Sequence, residues 1–168
     1  MRLAYPVLLL ASLSLGGLAA CGKEIGDECS YSQECDPDGN RVCDLSSSGG
    51  YCTVSGCEHD SCPEDSVCVR FYVASFENLP CDPALEDSEG GPDACTSDEV
   101  CTLKGQCVPA NAELRFCMAT CGDGGDCRDG YECRNEELMR QHGGEPVPPP
   151  GERLASDLPS FCAEAPSE

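Results

Sequence analysis

The sequence predicts a small, disulfide-rich fold: two tandem eight-cysteine modules of short strands and loops, with little regular secondary structure. Three observations carry that expectation. The 168-residue chain holds 17 cysteines, the density of a disulfide scaffold. It has no Trp and only 5% aromatic residues, and small modules with so little to bury rarely fold on a hydrophobic core alone. Sixteen of the cysteines fall into two sets of eight whose intervals correspond. Cys29, Cys35, Cys43, Cys52, Cys57, Cys62, Cys68 and Cys81 are spaced by 5, 7, 8, 4, 4, 5 and 12 residues. Cys95, Cys101, Cys107, Cys117, Cys121, Cys127, Cys133 and Cys162 are spaced by 5, 5, 9, 3, 5, 5 and 28. An aromatic residue precedes the fourth cysteine of each set, Tyr51 and Phe116. Internal periodicity of this kind governs the domain reading.

Residues 1–20 form the first segment: Met1-Arg2, an apolar stretch from Leu3 to Ala20, then Cys21. The stretch is short for a membrane span. A charged start, an apolar middle and small residues at the end make a secretory signal. Gly17 and Ala19 admit an ordinary cut after Ala19. Leu18-Ala19-Ala20-Cys21 resembles the lipobox of bacterial lipoproteins, which implies cleavage between Ala20 and Cys21 and fatty acyl chains, palmitate among them, on the Cys21 sulfur and new N-terminus. Parity agrees, because an odd cysteine in an exported protein needs an explanation and removing Cys21 leaves sixteen. In that family the residue after the cysteine influences sorting, and Gly22 in place of Asp implies the outer membrane, facing the periplasm or the cell surface. Residues 21–28 read as a lipidated tether, at most about 25 Å long when extended.

Module 1 spans 29–81 and module 2 spans 95–162, each expected to close through four disulfides. Eight cysteines allow 105 pairings, so the partners stay open. Between them 82–94, rich in Asp, Glu, Gly and Pro, reads as a solvated linker. Arg70–Phe76 has strand composition, and Asn135–Gln141 reads as a two-turn helix capped by Asn135. Pro146-Val147-Pro148-Pro149-Pro150-Gly151 lies in the long last interval of module 2 and reads as an exposed polyproline loop. Residues 163–168 read as a tail.

Chemistry is sparse. Thiolate metal sites want C-x2-C pairs, and no two cysteines here are separated by two residues. His59 and His142 read as exposed loop residues with no nucleophile motif beside them. No cofactor or nucleotide fingerprint occurs, and no enzyme is expected. Asp36, Asp38 and Asn40 place oxygen ligands at alternate positions around a Gly turn, a candidate for calcium. Without a Glu at the twelfth position the same residues read more simply as an Asx turn. Gly122-Asp123-Gly124-Gly125-Asp126 is a second turn of that kind. The net charge is −21, and loss of the first twenty residues removes only Arg2, so nucleic acid and anionic lipid headgroups are poor partners.

From Gly26-Asp27-Glu28-Cys29 onward the spacing, taken with the lipobox, resembles the cysteine-rich lipoproteins of predatory Gram-negative soil bacteria. That resemblance implies an address and no activity. The function expected is a membrane-anchored, non-catalytic surface or envelope module. Its partners would be the lipid bilayer, through acylated Cys21, and an envelope protein or extracellular polymer. A disulfide-rich protease inhibitor and a calcium-binding surface module are the alternatives.

Overall fold

The computed structural model describes residues 22–72, 79–85, 95–152, 154 and 157–166. Short elements follow one another: α1 (Ser32–Cys35), β1 (Val42–Asp44), β2 (Tyr51–Thr53), β3 (Ser66–Tyr72), β4 (Glu99–Cys101), β5 (Cys107–Pro109), β6 (Glu113–Ala119), β7 (Tyr131–Arg134), α2 (Glu136–His142), β8 (Glu145–Pro146) and β9 (Phe161–Glu164). The fold is small, disulfide-rich and poor in regular structure, as the composition requires. β1–β2, β4–β5 and β7–β9 are two-stranded antiparallel ribbons, and β6-β3-β8 is a three-stranded sheet. Two-stranded ribbons are marginal in water unaided, which is where the disulfides enter.

The eight bridges obey one rule. They join Cys29–Cys43, Cys35–Cys52, Cys57–Cys68, Cys62–Cys117, Cys81–Cys101, Cys95–Cys107, Cys121–Cys133 and Cys127–Cys162. The cysteines thus form four quartets, each bonded first to third and second to fourth. In every quartet the third and fourth cysteines sit directly opposite one another across an antiparallel pair: Cys43↔Cys52, Cys68↔Cys117, Cys101↔Cys107 and Cys133↔Cys162. One unit is therefore a loop bearing two cysteines, stapled onto both strands of a β-ribbon.

This corrects the expectation that each set of eight closes on itself. Cys62–Cys117 and Cys81–Cys101 both cross from the first set to the second. The cause is nesting. The third unit (Cys81, Cys95, Cys101, Cys107) lies inside the connection between β3 and β6, so the second unit's fourth cysteine is displaced to position 117. The units also share one core. Tyr51, Val69, Leu103, Met118, Tyr131, Met139, Phe161 and Ala163 pack together, drawn from all four units. Burial of their apolar area is the non-covalent part of the stability. Around it the bridges themselves are core, with Cys35, Cys52, Cys107 and Cys117 fully buried.

Particular residues explain the local geometry. At the turn before β2, Gly50 has φ +69°, and a Cβ there would lie 2.0 Å from the Cys29 carbonyl oxygen, so glycine is required on both counts. Asn135 caps α2 by accepting from Leu138 N–H at 3.0 Å, as expected. β3 starts earlier than the composition suggested, at Ser66, and positions 73–76 of that expected strand lie outside the described residues. Of the expected linker, Asp82–Leu85 form a turn in which Leu85 N–H donates to the Asp82 carbonyl, and positions 86–94 lie outside the described residues.

Three further expectations change. Gly22 to Glu28 are bonded to the body: Lys23 N–H donates to the Glu34 carbonyl, Gly26 N–H to that of Cys52, and Cys52 N–H to that of Asp27. Ile25 packs against the core. The stretch expected as the tail begins as strand, because Ala163 and Glu164 complete β9 opposite Glu132 and Tyr131. The proline segment is exposed only at its end, Pro150 and Gly151, and its start is built into the sheet. Pro146 pairs with Val69 and Glu145 with Arg70 on the edge of β3, Val147 N–H donates to Cys68 O at 2.8 Å, and Val147 is buried. Proline lacks the donor that a central strand needs, so an edge is where it fits.

Candidate binding clefts

The same proline edge forms one wall of a cleft of about 410 Å³, within the range of small-ligand pockets. Val67, Val147, Leu154 and Leu158 supply its apolar surface, the half-cystines Cys62 and Cys68 contribute sulfur, and Asp60, Glu152 and Asp157 are its acids. Among the described residues its lining contains neither Lys nor Arg. Two polar side chains there invite a catalytic reading, but both are engaged. His59 Nδ1–H donates to the Val147 carbonyl at 2.9 Å and its Nε2 lies 3.2 Å from the Asp60 carboxylate, while Ser66 Oγ–H donates to Pro63 O at 2.6 Å. A hydroxyl nucleophile needs a base within hydrogen-bond reach, and these contacts direct the two groups elsewhere.

A larger cleft of about 820 Å³ opens where the first, second and fourth units meet. At its floor Tyr51 and Tyr131 stack with centroids 5.6 Å apart, and the Arg128 guanidinium lies 4.0 Å from the Tyr131 centroid. Arg128 Nη2 donates to the carbonyls of Ser48 and Gly50 and to the Tyr131 hydroxyl. Cation–π contact and carbonyl acceptors compensate part of this buried charge, while Arg128 Nη1 is buried without a hydrogen-bond partner among the described residues. Burial first of all, together with the neighbouring Tyr131, pushes the Tyr51 phenol up to about 12, against the contrary pull of its bond from Ala119 N–H and of Arg128. Glu24, Asp27, Glu28, Glu64, Asp65 and Asp126 line the cleft against Arg41 and Arg128, so the field over it is negative on balance.

A third constellation is internal. Glu145, only 2% exposed, accepts from Arg70 Nε at 2.8 Å and from Leu103 N–H at 2.7 Å. One carboxylate thereby ties the second unit, the third unit and the proline segment together. Arg70 continues toward Glu113, which accepts from the Tyr72 hydroxyl at 2.9 Å. Burial, above all, raises the Tyr72 phenol well beyond its ordinary range.

The sequence-predicted candidates are placed as follows. Cys21 and Ala20 lie outside the described residues. All sixteen cysteines from Cys29 to Cys162 are in bridges. The sulfurs of Cys29, Cys35 and Cys43, and of the matching trio in each other unit, lie within 4.8 Å of one another, but as disulfides they present no thiolate to a metal. Of the calcium candidates Asp36, Asp38 and Asn40, Asp36 closes the turn. Its carboxylate accepts from Asp38 N–H at 2.9 Å and Asn40 N–H at 3.0 Å, an Asx turn. The bond from Asp38 N–H, foremost, holds that carboxyl below its usual range. Asp126 behaves alike, lowered by accepting from the N–H groups of Gly122 and Asp123. Neither histidine is a free loop residue, since His142 ends α2 with Nδ1 2.7 Å from Glu132.

Comparison with protein families, with curated proteins and with solved structures finds no match. Among the described residues no helix is long and apolar enough to cross a membrane. The clefts and the buried Arg128 and Glu145 contacts were not legible in the sequence, because each joins residues far apart in the chain. The carboxylate of the tail residue Glu164 on Ser48 is another such contact.

Proposed function

We propose that the chain is a membrane-anchored, non-catalytic cysteine-rich lipoprotein, acylated on Cys21, whose folded body is a binding module of the envelope or cell surface. One observation carries the reading. Eight bridges use every cysteine from Cys29 to Cys162, so of 17 cysteines only Cys21 has no half-cystine partner left to it. Its place directly after the apolar segment and Leu18-Ala19-Ala20 supplies the chemical fate of that thiol. Each buried methylene contributes about 0.8 kcal/mol and two or more acyl chains give stable attachment, whereas one is marginal. Gly22 favours the outer membrane. The stapled body with two side-chain-lined clefts supports a binding role, and the negative surface favours cationic or neutral partners over polyanions.

The test is Cys21→Ser in the intact chain, followed by separation of membrane and soluble fractions. The reading expects the native chain in the membrane fraction and the variant outside it, with sixteen thiols appearing in both only on reduction. A variant that stays with the membrane as the native chain does contradicts it.

A further inference from the structure

A lipid anchor holds its protein at a distance set by the chain between the acylated residue and the first residue fixed in the fold. Here that chain is missing. Lys23 N–H donates to the Glu34 carbonyl and Lys23 Nζ donates to the Glu28 carbonyl at 2.7 Å. Gly22 lies so close to the first unit that a Cβ would come 2.5 Å from the Cys35 carbonyl oxygen and 2.9 Å from Arg41 Nη2. Consecutive Cα atoms are about 3.8 Å apart, so an acylated Cys21 sits one peptide from the folded surface.

We propose that the first unit is a membrane-apposed face, pressed on the headgroup layer of a phospholipid bilayer with no spacer. This rests on acylation of Cys21. Attachment there comes from the acyl chains and not from charge: Lys23 and Arg41 flank Gly22, but Lys23 Nζ is already held by the Glu28 carbonyl and lies 3.6 Å from Glu34, and Glu24, Asp27 and Glu28 share the segment. Tyr31, 56% exposed, opens the one-turn helix that ends at Cys35, and tyrosine is a side chain of the membrane–water interface. The large cleft is walled by Glu24 to Glu28, which makes it juxtamembrane. A ligand there would be met at the bilayer surface.

The chain has only two lysines, Lys23 and Lys104, which gives a footprint without mutation. The acylated full chain is reconstituted on zwitterionic vesicles of phosphatidylethanolamine and phosphatidylcholine and treated with a membrane-impermeant amine reagent. A variant with a ten-residue Gly-Ser spacer between Cys21 and Gly22 is treated alongside. The expected result is several-fold slower labelling of Lys23 in the native chain than in the spacer variant, with Lys104 labelled equally in both. Because the chain has no Trp, Tyr31→Trp adds a second readout: its emission is quenched by lipids brominated near the headgroup end, and a Leu79→Trp probe in the third unit is not. Flotation with the vesicles but equal Lys23 labelling in both chains, or equal quenching of both Trp probes, overturns the apposed face alone. Failure to float overturns the acylation reading and the face with it.

Discussion

Removing the Cys62–Cys117 bridge as Cys62→Ala/Cys117→Ala tests the nested architecture directly. The bridge closes a sequence separation of 55, for which loop-closure entropy gives about 4 kcal/mol. The Cys81–Cys101 bridge lies inside that loop and shortens the covalent path to roughly 35 residues, a correction of only about 0.4 kcal/mol because the dependence is logarithmic. Cys57–Cys68, in the same unit, spans 11 and by the same relation contributes about 3 kcal/mol. Cys117 is fully buried beside Val147, so truncation also removes packing and the total should reach or exceed 4 kcal/mol. Alanine is used in pairs to leave no free thiol. Urea denaturation without reductant, followed by circular dichroism and tyrosine fluorescence, gives both losses. The reasoning fails if the Cys62–Cys117 pair costs less than about 1 kcal/mol, or less than the Cys57–Cys68 pair.

Other consequences are equally open to measurement. Glu145→Ala leaves Arg70 and Leu103 N–H without their acceptor in a buried site, and should lower stability by about 3–5 kcal/mol in thermal or urea unfolding; an effect within 1 kcal/mol contradicts the three-way tie. Gly50→Ala puts a methyl group onto the Cys29 carbonyl and should sharply reduce the yield of protein with all eight bridges, scored by free-thiol assay, whereas an exposed change such as Leu45→Ser should not. The Tyr51 phenol is raised in the folded state, so its contribution to stability is complete below pH 10 and disappears as pH rises toward about 12; ultraviolet titration should show it ionising with unfolding rather than at pH 10. Calcium and chelator should leave the melting temperature unchanged, since Asp36 and Asp126 already accept backbone N–H groups. A calcium-dependent rise would restore the acidic turns as a site.

The cysteine pattern made the scaffold legible, but its true unit was hidden. Three units share a C-x5-C loop, Cys62 to Cys68, Cys95 to Cys101 and Cys127 to Cys133, and the first has a seven-residue version, Cys35 to Cys43. That was the available signal. The fourth cysteine escaped it because it lies on the opposite strand of a β pair, and the connection between paired strands is unconstrained in length. It holds 5 residues between Cys101 and Cys107 but 48 between Cys68 and Cys117. Matching intervals in order therefore grouped Cys81 with the wrong neighbours. The α2 cap was readable because Asn135 acts three residues away. Burial of the proline segment was not, since its partner is the edge of β3, some seventy residues earlier in the chain.

The central claim, that eight bridges occupy sixteen cysteines while Cys21 carries lipid, is tested most directly by intact mass spectrometry of the protein extracted from membranes, alkylated before and after reduction. The account expects a mature chain beginning at Cys21 with acyl mass on that residue, no alkylation before reduction and sixteen alkylated thiols after it. A free thiol at Cys21 before reduction, or a mature chain without lipid mass, contradicts it.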